Sequence, residues 1–102
     1  MGIPVKPMLA KPTKGVREVL DRFDTLTFTC EYKYDGFRGQ IHFNRSTNTI
    51  EIYSRNLERM TPQYPDIVDF IKESVKGKDV ENFIVDSELV AYDMVHDRIL
   101  PF

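Results

Sequence analysis

The segment Glu31-Tyr32-Lys33-Tyr34-Asp35-Gly36-Phe37-Arg38 holds the residue types best suited to covalent chemistry. A lysine at the end of an apolar strand, before a tight Asp-Gly turn, is held still and partly desolvated. Desolvation disfavours the ammonium form and lowers the lysine pKa. Only the neutral amine can attack phosphorus, so Lys33 is the candidate nucleophile. Arg38 lies just past the turn, where its fork of donors can meet a phosphate or a carboxylate. By spacing alone, the same residues also fit a surface hairpin in which Lys33, Asp35 and Arg38 pair in solvent. Arg55, in Ser54-Arg55-Asn56, reads on its own as a strand-end arginine. Glu88 interrupts an apolar strand, and a carboxylate buried there needs a partner or a metal. His42 and His96 lie far apart, with no cysteine or histidine at ligand spacing, which argues against a zinc site.

These groups need elements to hold them. Phe28, Cys30 and Tyr32 alternate with Thr29, Glu31 and Lys33, so Phe28–Lys33 reads as a strand. The first three residues form its core face. Glu31 and Lys33 then point the same way, ~7 Å apart. Asp35-Gly36 reads as a turn. Phe37–Phe43 resumes as a strand with Ile41 and Phe43 on one face and Gln40 and His42 on the other. Asn44–Asn48 is a polar turn, and Thr49–Ser54 returns, giving an antiparallel hairpin or meander.

Pro4, Pro7 and Pro12 make the start an extended arm. Thr13 is placed to cap a helix through Phe23, whose apolar face is Val16, Val19, Leu20 and Phe23. Pro62 and Pro65 close a loop. Ile67, Val68, Phe70, Ile71 and Val75 mark a second helix over Tyr64–Val75, ended by Gly77. Lys72, Lys76 and Lys78 suit its C-terminal dipole. Phe83–Tyr92 reads as a strand covered on both faces, and Arg98–Phe102 begins its hairpin partner. The fold class is α+β, with antiparallel β-sheets and flanking helices.

The sequence has 102 residues with a net charge of −2, so the chain as a whole is not a basic nucleic-acid binder, although a local basic face is compatible with it. Its 41% apolar and 29% charged content is that of an ordinary folded domain. The single cysteine, Cys30, excludes an internal disulfide and favours a reducing compartment. No apolar run approaches the roughly 18 residues of a bilayer span. The end, Arg98-Ile99-Leu100-Pro101-Phe102, falls within an apolar stretch and reads as a truncated domain.

Lys33-Tyr34-Asp35-Gly36-Phe37-Arg38 resembles the Lys-x-Asp-Gly-x-Arg signature of covalent nucleotidyltransferases: ATP-dependent ligases, NAD-dependent bacterial ligases and mRNA capping enzymes. Lys6-Pro7-Met8-Leu9-Ala10, Gln40-Ile41-His42, Tyr53-Ser54-Arg55-Asn56, Tyr64-Pro65-Asp66-Ile67 and Asp86-Ser87-Glu88-Leu89-Val90-Ala91-Tyr92-Asp93 follow in the order found in eukaryotic replicative DNA ligases. The resemblance runs over essentially the whole chain. It implies that residues 1–102 are the N-terminal portion of an ATP-grasp-like adenylation domain, without the OB-fold domain that follows. The implied activity is nick sealing in duplex DNA through lysyl-AMP, AMP transfer to a 5′-phosphate and attack by a 3′-hydroxyl.

The same resemblance implies roles. Lys33 attacks the α-phosphorus of ATP and expels pyrophosphate. Glu31 helps recognise adenine, and Arg38 sits near the phosphate or the nicked end. Arg55 contacts the nucleotide sugar or the 5′-phosphate. Glu88 meets the ribose hydroxyl and supports catalytic Mg²⁺, which keeps most of its waters and borrows one or two carboxylates. Asp35 is a turn-former and partner of the lysine. Phe37 and Gly39 depart from the relatives, which carry a polar and an alanine-like residue there. ATP, Mg²⁺ and nicked double-stranded DNA are the implied cofactors and partners of a monomeric nuclear enzyme, with a sliding clamp engaged by regions beyond this chain. A second metal-associated glutamate and the lysines on the triphosphate do not occur before Phe102, so these residues alone are expected to adenylate poorly or not at all. A capping guanylyltransferase or RNA ligase with the same lysine is the alternative enzyme. A non-catalytic nucleotide-binding module is the alternative of another class.

Overall fold

The computed structural model describes residues 1–102. Its centre is β1, Phe37–Asn44, which pairs antiparallel along both edges. One neighbour is β2, Thr49–Tyr53, and the other is β3, Phe83–Leu89, giving a three-stranded sheet in the order β2-β1-β3. The turn between β1 and β2 is built by Asn44, whose Oδ1 accepts from Ser46 N at 3.1 Å and Ser46 Oγ at 2.8 Å. Asn48 closes it at φ 49°, a left-handed conformation that asparagine tolerates.

Strand alternation gives the sheet two faces. Ile41 and Phe43 of β1 lie opposite Ile52 and Ile50 of β2, and all four are buried. Helix α2, Pro65–Val75, covers this face with Ile67, Val68, Ile71 and Val75. Pro65 stands in its first turn, where a missing N–H costs nothing, and Gly77 follows its end at φ 69°. Lys72 lies in its last turn. Phe70 is 66% exposed and points away from the sheet, contrary to the expected apolar face. The loop closed by Pro62 and Pro65 contains a 3₁₀ turn, Thr61–Gln63.

The other face carries Arg38, Gln40 and His42 of β1, with Tyr53 and Glu51 of β2 and Asp86 and Glu88 of β3. Beyond β3, the short strands β4 (Tyr92–Asp93) and β5 (Arg98–Ile99) form a separate hairpin. The Arg98 segment therefore pairs with β4 rather than with β3. Two helices and antiparallel sheets make the chain α+β, as the element order implied.

Several expectations are corrected. Phe28–Lys33 is not a strand. Both edges of β1 are taken by β2 and β3, and the segment pairs with neither outer edge of the sheet. Its core face fails with it: Phe28 and Cys30 are exposed, and Tyr32 is 94% exposed. Phe28 instead rests against Phe23, with ring centroids 5.0 Å apart. Helix α1 runs over Val16–Phe23, preceded by Gly15 with no side-chain cap, so Thr13 does not cap it. Apart from the Phe23–Phe28 contact its apolar face stays open, and none of its residues is buried. β3 ends at Leu89 and is not covered on both faces, since Ile84 and Val85 remain exposed. The radius of gyration is 17.0 Å, against about 13 Å for a tightly packed chain of this length, because the segment before β1 lies outside the core.

The core thus rests on the β1–β2–α2 sandwich. Ile52→Ala, at a fully buried position, is expected to cost about 2–5 kcal/mol. Leu20→Ala on exposed α1 is expected to change stability by no more than about 0.5 kcal/mol. Urea unfolding of the two variants checks the contrast.

Candidate active site

An open cleft of about 670 Å³ lies at the start of β1 and is lined by Lys33, Arg38, Arg55 and Glu88, among others. Four of the five residues singled out from the sequence therefore meet in one place. Glu31 does not line the cleft. Its shared face with Lys33 depended on a strand that does not form, so the alternation argument fails for it.

The geometry follows from the β1–β3 register. Arg38 lies directly opposite Glu88, and Gln40 opposite Asp86, so both carboxylates share Arg38's face. Arg38 Nε donates to Asp86 Oδ1 at 2.9 Å and Oδ2 at 3.0 Å, and Nη2 also donates to Oδ2. This fork matches a carboxylate with two donors, which fixes the guanidinium plane. The arginine in turn holds the Asp86 carboxyl below its ordinary range. In the sequence Asp86 stood out only as the first residue of the Asp86–Asp93 segment, with no role of its own. Its signal was present, because a residue two before Glu88 on a strand shares its face.

Glu88 was expected to be buried. It is exposed and engages in none of the chain's ion pairs. β3 is an edge strand on this face, so its carboxylate opens into the cleft. Its charge still acts on its neighbours, adding to the upward pull on Arg38 and Lys33 after their hydrogen-bonded partners.

Lys33 also departs from expectation. Its side chain is 84% exposed, and Nζ donates to Asp35 Oδ1 at 2.5 Å. That hydrogen bond and the Asp35 charge lift its pKa above the ordinary lysine range, outweighing desolvation. The expected depression is overturned because no strand buries the residue. Asp35 is the lysine's partner, as expected.

Arg55 stands on the loop after β2, and this loop is closely determined. Ser54 Oγ accepts from Asn56 N at 3.2 Å and Glu58 N at 3.1 Å, while Leu57 N donates to Ser54 O at 2.9 Å. Leu57 adopts φ 67°, uncommon for a bulky side chain, and the surrounding bonds hold it there. Arg55 itself has no ion-pair partner. Ser54, which organises the loop, and Asn56, which also lines the cleft, were not singled out as separate site residues.

The cleft is thus a small acidic and basic surface on an antiparallel α+β scaffold, with one amine at its edge. The family described as the ATP dependent DNA ligase domain matches residues 7–102. DNA ligase 1 of Arabidopsis thaliana is 54% identical over 102 residues, covering 100% of this chain and 13% of that protein. DNA ligase 1 of Saccharomyces cerevisiae is 55% identical over 103 residues, covering 99% and 13%. The DNA ligase of Staphylothermus marinus is 43% identical over 102 residues, covering 100% and 16%. The chain belongs to the ATP dependent DNA ligase domain family. It spans about an eighth of the length of the eukaryotic relatives (13%).

Two glycines, Gly36 just before β1 and Gly39 within it, lie close against Leu89 of β3. A Cβ on Gly36 would fall 2.3 Å from the Leu89 carbonyl oxygen, which is backbone and cannot yield. At Gly39 the nearest atom, at 2.8 Å, is the Leu89 Cδ1 methyl, the far end of a flexible side chain. Gly36→Ala is therefore expected to cost about 1–3 kcal/mol and Gly39→Ala less. Urea midpoints and amide chemical shifts over residues 33–38 test the order.

Proposed function

We propose that this chain is part of the adenylation domain of an ATP-dependent DNA ligase and that Lys33 carries the adenylate. The observation that carries the reading is the meeting of Lys33, Arg38, Arg55 and Glu88 around one cleft. Family membership over residues 7–102 supports it. The β2-β1-β3 sheet and α2 are then the front portion of an ATP-grasp-like nucleotidyltransferase fold, and the protein works on nicked duplex DNA in the nucleus.

In the proposed reaction the neutral Lys33 Nζ attacks the α-phosphorus of ATP. A P–N bond forms, the P–O bond to pyrophosphate breaks, and pyrophosphate leaves with the electron pair. The ammonium must first lose a proton to solvent, and the Asp35 carboxylate, bonded to it at 2.5 Å, opposes that loss. Asp86 holds the Arg38 fork, which faces a phosphate with its charge while its plane stays fixed. Arg55, without an ion-pair partner, is placed for a sugar or phosphate oxygen. Glu31 is proposed to contact adenine on the strength of the family signature alone. The AMP then passes to a 5′-phosphate, and a 3′-hydroxyl displaces it.

Mg²⁺ fits the donor set in a limited way. Glu88 offers one unpaired carboxylate in the cleft, and no group of three or more candidate ligands gathers there. A single borrowed carboxylate matches an ion that keeps several waters. When bound, the ion would supply charge neutralisation at the phosphates.

The test uses the full-length protein containing this chain, incubated with α-labelled ATP and magnesium. Label is expected to survive denaturation and to vanish in Lys33→Ala; label persisting in that variant removes the assignment. GTP in place of ATP is expected to give no adduct. Asp35 raises the Lys33 pKa, so Asp35→Asn is expected to lower it and make the neutral amine available at lower pH. The rise of adduct formation with pH should move downward in that variant. An unmoved profile would show that Asp35 does not govern the proton on the lysine.

A further inference from the structure

Residues 2–8 lie along the sheet without being anchored by their apolar side chains. Ile3 is 80% exposed, Val5 58% and Met8 91%. The arm is attached by hydrogen bonds to β1 and β2. Gly2 N donates to His42 Nδ1 at 3.2 Å, and the Tyr53 hydroxyl donates to Gly2 O at 2.8 Å. Val5 N donates to Gln40 Oε1 at 2.7 Å, and Gln40 Nε2 donates to Val5 O at 2.8 Å. Arg38 Nη1 donates to Met8 O at 3.3 Å. Arg38, Gln40 and His42 are alternate residues of β1, so one strand face holds the arm along its length. Leu9 and Ala10, next along the arm, line the cleft together with Lys33 and Glu88. One wall of the cleft is therefore placed by bonds made outside it.

Those bonds require one protonation state. Nδ1 of His42 accepts the Gly2 N–H, so it carries a lone pair. Nε2 lies 2.8 Å from Gln40 Oε1, which can only accept, so the proton sits on Nε2. Protonating Nδ1 would set two N–H groups against each other. His42 is buried, at 2% exposed. The groups facing it are Glu51, opposite in register on β2, the Tyr53 ring at 5.1 Å, and the apolar Ile84 opposite on β3. Glu51 favours the cation, but it is already committed to Arg59 Nε at 2.6 Å and Thr61 Oγ1 at 2.6 Å. Burial wins over Glu51 and lowers the His42 pKa.

We propose that His42 is a positioning residue whose neutral Nε2–H imidazole latches the 2–8 arm, thereby setting the Leu9–Ala10 wall of the cleft against the nucleotide, and whose protonation releases that wall. The inference rests on the reading of the cleft as the nucleotide site. Its sign follows from linkage. The folded pKa is depressed, so the latch is intact above the ordinary histidine range and is lost as pH falls through the folded value.

The experiment measures KM and kcat for adduct formation with ATP in the full-length protein between about pH 7.5 and about pH 5.5. In the unmodified protein KM is expected to rise about fivefold as pH falls, with kcat unchanged apart from effects common to all variants. His42→Asn places an amide oxygen near the Nδ1 position and cannot titrate, so it should keep a low KM without that rise. His42→Leu lacks the acceptor and should show the high KM at every pH. Hydrogen-exchange protection of residues 2–8, taken relative to intrinsic rates and without ATP, should fall with acid in the unmodified protein and hold in His42→Asn. Equal KM profiles and equal protection in these two proteins, in a protein that does take label, would overturn the latch alone. If Lys33 takes no label at any pH, the nucleotide reading falls, while the exchange measurement still reports on the arm.

Discussion

Everything in this molecule depends on the two-sided pairing of β1. A strand bonded along both edges has its backbone donors and acceptors satisfied, and it fixes the direction of every side chain it carries. One face sends Ile41 and Phe43 into the core beneath α2. The other sends Arg38, Gln40 and His42 toward the arm and the cleft. A slip of one residue would exchange these two sets, placing an arginine under the helix and a phenylalanine on the cleft side. Core packing therefore specifies the register, and the register assembles the site. The chemistry is positioned by apolar residues that never touch it.

The charges around the cleft divide into committed and uncommitted groups. Asp86 fixes the plane of Arg38, and Asp35 holds the Lys33 ammonium. Glu88 and Arg55 are bonded to no opposite charge, yet both line the same space. This division suits phosphoryl transfer, which asks the protein for placement and field rather than for covalent work of its own. Surface ion pairs contribute little to stability, so the value of the Arg38–Asp86 fork lies in orientation.

The segment before β1 is built on a different principle. The arm, α1 and residues 24–36 have few apolar contacts with the sheet, and much of their apolar surface is exposed. The arm is held by alternate polar side chains, and Phe28 is held by Phe23. Polar attachment of this kind is directional and sensitive to protonation, whereas the β1–β2–α2 core is neither. The lysine sits where these two regimes meet, directly before the rigid strand and at the end of the loosely held segment.

Much of the site was legible in residue order. The β1–β2 hairpin with its Asn44–Asn48 turn, helix α2 and its glycine stop are local matters of backbone preference and periodicity, and each appears where those preferences put it, whereas the expected Asp35-Gly36 turn is only a bend at Gly36, since no strand precedes it. Lys33, Arg38, Arg55 and Glu88 were singled out chiefly because their segments resemble the nucleotidyltransferase signature and its flanks, since Arg55 by itself reads only as a strand-end arginine. What the sequence could not carry was pairing and cover. Phe28–Lys33 has the alternation of a strand, but a strand exists only with a partner, and this segment pairs with none. Lys33 and Glu88 were expected to be desolvated, yet burial depends on what other elements lay over them, and nothing does. The Arg38–Asp86 fork and the His42 latch join residues distant in the chain. Alternation names the face a side chain takes; only tertiary packing decides what, if anything, stands opposite it.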